Sequence, residues 1–153
     1  MGENDDNFYT LKGYSLLEQN RITSSMEDYL EMICRLYQDE APIRINHLAD
    51  CLHVRPSSAS KMVGNLKVQG LVRFEKYGTV TPTEAGLKLG RYLLFRHQIL
   101  TDFFQLINGN ADGLEQVEKV EHFMEPETVY NLKKWLDKFS GTDLCESPFR
   151  RIL

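Results

Sequence analysis

Cysteine is scarce: Cys34, Cys51 and Cys145 are the only three in 153 residues, and no two stand in C-x-x-C spacing. An odd, unpatterned set excludes a disulfide framework and a structural zinc site of the thiolate kind, and it fits a reducing cytoplasm. Long hydrophobic runs are missing too. No uninterrupted apolar stretch approaches the roughly 20 residues that span a bilayer, and the acidic start Met1-Gly-Glu-Asn-Asp-Asp has neither the charge nor the apolar run of a secretory signal. Asp6 stands where N-myristoylation would want Ser or Thr. There is no internal repeat, no low-complexity segment, no glycine-rich phosphate loop and no nucleophile-base pairing. What is left is the composition of an ordinary globular chain, 42% hydrophobic and 26% charged, with room for one unit or two small domains.

The net charge of −4 suits a nucleic-acid binder poorly until its distribution is considered. Between Arg44 and Arg96 stand nine basic residues and three acidic ones, a local +6 against −10 for the rest of the chain. A basic middle between acidic flanks suits phosphate contact in one place and cation binding elsewhere.

Residues 1–23 read as an extension, with little pattern beyond Tyr14-Ser-Leu-Leu. A helix is expected from Ser24 or Ser25, where Ser24 with Glu27, or Ser25 with Asp28, has capping-box spacing. Met26, Tyr29, Leu30, Ile33 and Tyr37 then form one apolar stripe. Ile45, Leu48, Ala49 and Leu52 mark a short second helix. Pro56 opens a third, with Ala59, Met62, Val63 and Leu66 inward and Gly70 as its stop. Two short helices so closely joined read as a helix-turn-helix. Val72, Phe74 and Val80 predict two strands around a turn near Tyr77-Gly78, a wing. Thr83 is placed to cap a long helix running to about Ile107. Its apolar residues wrap too widely for burial within one monomer, which points to dimerisation. A helix over roughly 112–124 and a last one opened by Pro126 complete the pattern. The fold expected is mainly α: a winged helix-turn-helix over 24–91, an α-helical metal-binding and dimerisation domain over 92–139, and a tail over 140–153.

The third helix leaves Ser57, Ser58, Ser60, Lys61, Asn65 and Lys67 outward. Short hydroxyls let a helix approach the duplex closely, and the lysines supply charge to phosphates. Arg55 stands at the helix start, the end that commonly enters the major groove. Lys76 and Tyr77 sit at the wing tip. An ordinary solvated polar surface is the plainer alternative for any one of them, less so for the assembly.

Asp28 and Glu31, three apart on the first helix, share the face opposite its apolar stripe. Glu118, Glu121 and His122 form E-x-x-E-H, whose spacing turns two carboxylates and an imidazole to one side of a helix. His97 lies inside the long apolar helix, where a core histidine is the plainer alternative. Four carboxylates and two imidazoles could hold one or two octahedral divalent ions. Such oxygen-rich sets with a minority of nitrogen suit manganese and ferrous iron, and no cysteine stands beside them.

The sequence resembles the diphtheria toxin repressor family of metalloregulators, in its manganese-responsive branch. The resemblance is carried by Ser25-Met-Glu-Asp-Tyr-Leu-Glu-Met-Ile, Pro56-Ser-Ser-Ala-Ser-Lys-Met-Val, Glu75-Lys-Tyr-Gly, Arg96-His97 and Glu118-Lys-Val-Glu-His122, over about residues 24–139. It implies a cytoplasmic homodimer that binds double-stranded operator DNA when loaded with metal, with no membrane partner and no small-molecule substrate other than metal ions. It implies that Asp28, Glu31, His97, Glu118, Glu121 and His122 are the ligands, holding Mn(II), two per subunit, with Fe(II) the alternative. Iron-responsive relatives carry methionine at the place of Asp28 and cysteine at that of Glu118. They also carry a third, SH3-like domain, for which this chain is too short.

The expectation is a manganese(II)-activated repressor of manganese uptake genes and not an enzyme. An iron or broad divalent sensor of the same fold is the nearest alternative. A dinuclear metal hydrolase would leave the basic helix-turn-helix unexplained and needs a substrate cleft and an open coordination position. A metal-independent winged-helix regulator would leave the ligand pattern to coincidence.

Overall fold

A computed structural model describes residues 22–39, 41–75, 78–109 and 113–139. The proposed tail, all but the end of the proposed extension, Lys76, Tyr77 and Cys145 lie outside the described residues. The chain divides into two compact units between Leu94 and Phe95.

In the first unit, α1 (Ser24–Tyr37) buries Met26, Tyr29, Leu30, Ile33 and Cys34. Its cap is one residue earlier than expected. Thr23 has extended backbone (φ −85°, ψ 163°), and its Oγ1 accepts from the Met26 N–H at 3.3 Å. Three successive hydroxyl residues compete for this role, and only the one left outside the helix can turn its oxygen back onto the free amides. Ser24 and Ser25 are therefore already helical, and neither stands at the N-cap. Tyr37, at the last position of the stripe, is 43% exposed.

The two helices α2 (Ile45–Cys51) and α3 (Pro56–Val68) follow as expected, with Pro56 in the first turn of α3. Both end in the same device. After α3, Gly70 at φ +72° donates to Lys67 O, and Leu71 N–H donates to Leu66 O, a Schellman stop whose flanking leucines are both fully buried. After α2 the left-handed position is taken by His53, φ +53°, with His53 N–H on Asp50 O and Val54 N–H on Ala49 O. This turn sets the angle between α2 and α3 and holds a non-glycine residue in a sparsely populated conformation.

The wing is antiparallel, β1 (Val72–Phe74) with β2 (Val80–Pro82), pairing Arg73 opposite Thr81. The expected two strands are joined by a bridge that the sequence did not suggest. Val80 N–H donates to Ile43 O at 2.8 Å, tying the wing to the segment before α2.

The long helix α4 (Glu84–Asn108) starts on Thr83, whose Oγ1 accepts from Gly86 N–H at 3.1 Å. Its first turns lie very close to their neighbours. A Cβ on Gly86 would come within 1.9 Å of Leu71 O, and one on Gly90 within 2.1 Å of Cys34 Sγ. Two missing side chains thus let α4 lie against the Cys34 side chain of α1 and against the Leu71 backbone that follows α3.

In the second unit, the rest of α4 is joined by α5 (Gly113–Val120), a 3-10 turn (Glu121–Phe123) and α6 (Pro126–Phe139). The helix expected over 112–124 thus stops as an α-helix at Val120, where φ is −108°. Pro126 disfavours helical backbone at Glu125, so the chain leaves the helix early and its last turn tightens. Ile99, Leu100, Val117 and Val129 are buried. Trp135 sits between Phe103 (6.0 Å between centroids) and Phe139 (4.3 Å). Phe123, at 84% exposed, and Ile107, at 40%, are apolar residues left largely to solvent. No described helix is long and apolar enough to cross a membrane.

Candidate nucleic-acid interface and metal-binding side chains

In the first unit, α3 turns Ala59, Val63 and Leu66 fully inward. Ser57, Ser58, Ser60, Lys61, Asn65 and Lys67 are all exposed on its other side. Arg55 occupies the N-cap position with an exposed side chain and makes no cap hydrogen bond. The first turn of α3 therefore presents backbone amides, two serines and an arginine together, which is the donor set that grips a phosphate. Lys67 is engaged: its Nζ donates to Phe74 O at 2.7 Å, linking α3 to β1. Lys61 is exposed on the same side of α3. Arg73 was not singled out from the sequence, yet it is the exposed residue of β1 between buried Val72 and half-buried Phe74. Strand alternation was the signal that could have found it.

On α1, Asp28 is exposed and Glu31 half-buried. Glu31 Oε1 accepts from Arg35 Nη2 at 2.7 Å.

In the second unit, His97 Nδ1 lies 3.0 Å from Glu121 Oε2. The Glu121 side chain is 4% exposed and that of His97 17%. His97 is thus held by a buried carboxylate and is not an apolar core histidine. If Nδ1 carries the proton, Nε2 is left with a lone pair, the arrangement that suits an imidazole ligand. His122 Nδ1 lies 3.5 Å from Nη2 of Arg96, itself only 1% exposed. Since the guanidinium can only donate, that ring nitrogen is the acceptor. Glu118 is exposed on α5 while Glu121 is buried in the 3-10 turn. The E-x-x-E-H spacing therefore does not lie on one α-helix, and the change of helix type falls inside it.

The candidate donors are carboxylate oxygens in the first unit, and carboxylate oxygens and imidazole nitrogens in the second. The buried Cys34 thiol is unsuited to competing with them. Burial pushes Cys34 up to about 12, with the Arg91 charge opposing and Glu31 adding to the rise, so it stays protonated, and the thiolate is the form that ligates. The chemistry fits a divalent ion of hard to borderline character.

Residues 21–80 match a family model described as the iron dependent repressor, N-terminal DNA binding domain. The chain is 31% identical over 132 residues to the HTH-type transcriptional regulator MntR of Oceanobacillus iheyensis, covering 86% of this chain and 90% of that protein. It is 38% identical over 131 residues to MntR of Geobacillus thermodenitrificans, covering 85% and 93%. The solved structure of the manganese regulator SloR superposes with a TM-score of 0.66 at 26% identity. That of ScaR with bound Zn2+ superposes with 0.60 at 26%. Each comparison covers 73% of this chain but 53% of the solved one, so the chain spans about half the length of those structures.

Proposed function

Because the chain belongs to the iron-dependent repressor family, among its MntR-type regulators, and so is a metal-dependent transcriptional regulator and not an enzyme, we propose that it is a manganese(II)-activated repressor of manganese uptake genes. The observation that carries the choice of ion is the imidazole of His97 set against the buried carboxylate of Glu121. This is a nitrogen and oxygen donor set with no thiolate, and the similarity to SloR, titled a manganese regulator, supports the same choice.

The ligands proposed are Asp28 and Glu31 from α1, with His97, Glu118, Glu121 and His122 from the second unit, holding up to two ions per subunit. The ion supplies positive charge that offsets the mutual repulsion of four carboxylates. The protein's own part is to convert that into DNA affinity. α1 packs beside α4 through Cys34 and Gly90, and Gly86 of α4 lies against Leu71, whose N–H closes the stop that follows α3. Fixing α1 therefore fixes the element beside which α3 is held. In a cytoplasmic homodimer this sets the separation of two α3 helices, so that both enter successive major grooves of a palindromic operator. Arg55, Ser57, Ser58, Ser60, Lys61, Asn65 and Lys67 are the proposed contacts from α3, with Lys76 and Tyr77 from the wing.

The same donors also accept ferrous iron, and the test is built to separate the two. A palindromic uptake-gene promoter is titrated with the protein in Mn(II), in anaerobic Fe(II), in Zn(II) and in chelator. Activation at the lowest free Mn(II) supports the proposal. Activation by Fe(II) alone would make the protein an iron sensor, and equal binding in chelator would remove metal from its function.

A further inference from the structure

Glu31 is held by a cation that belongs to the protein. Arg35 Nη2 donates to Glu31 Oε1 at 2.7 Å, with the acid one turn before the base, the favourable order along a helix. The two ends of this bond differ in freedom. The Glu31 side chain is 13% exposed and anchored, whereas that of Arg35 is 51% exposed. Arg35 can therefore swing into water without leaving a hole, while the carboxylate it leaves, 13% exposed, needs a replacement cation. Arg96, near His122, is 1% exposed and has no such exit. On α1, Glu27, Asp28 and Glu31 crowd three negative charges into five residues, and Asp28, Glu31 and Arg35 follow one another at i, i+3 and i+7 on one face. A cation at position 35 relieves that crowding when no metal is bound. A divalent ion on Glu31 takes over the same task, and then meets a positive neighbour.

We propose that Arg35 is a built-in competitor for the metal, a positioning residue that raises the concentration of divalent ion needed to occupy Glu31. The proposal rests on the reading of Glu31 as a ligand. Metal must break a charge-assisted bond and push a guanidinium aside, so the site responds only above a threshold that Arg35 sets.

The test compares the full-length protein with Arg35→Met and Arg35→Lys, using manganese(II) chloride as the titrant in calorimetry at low and high ionic strength. Met keeps the aliphatic stem and removes the charge, so binding should tighten by about threefold to tenfold, somewhat more than the small worth of an exposed pair because repulsion of the ion is also lost. Lys keeps the charge and should stay near the wild-type value. The gap between wild type and Arg35→Met should narrow at high salt, because exposed charges are screened. A second readout is the melting temperature. Arg35→Met should melt lower than wild type in chelator and gain more on addition of Mn(II). If Arg35→Met binds Mn(II) with unchanged or weaker affinity while Glu31→Gln weakens it, Arg35 is no competitor and the proposal falls while Glu31 stands as a ligand. If wild type itself shows no Mn(II) binding, the ligand reading fails and the proposal falls with it.

Discussion

Replacing Gly90 by alanine puts a methyl group where the structure has none to spare. The added Cβ would lie 2.1 Å from Cys34 Sγ and 2.9 Å from Cys34 Cβ, against ordinary contacts of 3.4 Å or more. α1 and α4 must separate by roughly an ångström or the sulfur must leave its place, and overpacking of this kind costs about 1–3 kcal/mol. Alanine returns about 0.8–1.0 kcal/mol of helix propensity over glycine. The net loss is up to about 2 kcal/mol, or up to roughly 8 °C in melting temperature for a chain of this length. Because the worst contact is with the sulfur, Cys34→Ala should rescue it. The double variant should be more stable than the two single losses predict, with a coupling of about 1 kcal/mol. Gly86→Ala is the contrast. Its Cβ meets the backbone oxygen of Leu71 at 1.9 Å, which no side-chain substitution can move, so a loss of about 3 kcal/mol or more without rescue is expected. Urea unfolding of the four variants in chelator reads these values. Additive effects of Gly90→Ala and Cys34→Ala, with no coupling between them, would refute the close approach of α1 to α4.

Three further outcomes follow from the same structure. The buried Cys34 thiol sits at about 12 against an ordinary value of 9.0, so its contribution to stability is whole below pH 9 and is lost as pH rises from there through 12; alkaline unfolding of Cys34→Ala should lack this component, and an identical alkaline profile would contradict it. Lys61→Ala should weaken specific and random DNA alike and flatten the salt dependence by roughly one unit of slope, whereas loss of specific binding alone would make Lys61 a base reader. Asp28→Met should weaken the Mn(II) response and shift preference toward Fe(II) with circular dichroism unchanged, since Asp28 is exposed; an unchanged Mn(II) midpoint would make Asp28 a surface carboxylate and no ligand.

The DNA-reading half was legible because its signals are local and redundant. Pro56 and Gly70 bracket α3, its apolar residues keep helical period, and a short alternating hairpin follows. The misses have physical causes. Thr23, Ser24 and Ser25 can all cap, and the backbone conformation that chooses among them is not encoded in residue type. Ile43 joins the wing through one hydrogen bond, too short a pairing to leave a periodic trace. The tightening at Glu121 follows from Pro126, which was visible, but how far upstream a proline acts depends on how the turn packs. Arg96 entered the sequence reading as one basic residue of the local excess and in the Arg96-His97 pair, and neither signals that it is 1% exposed. Residue type could name carboxylates and imidazoles as candidates, yet only the fold set His97 against Glu121.

Metal-coupled DNA binding is tested most directly by the operator affinity of one protein preparation in saturating Mn(II) and in chelator, at fixed salt. The expected ratio is at least tenfold, about 1.4 kcal/mol of coupling, and by linkage the same factor should appear in the Mn(II) affinity when operator is added. Equal operator affinity with and without Mn(II) would contradict it.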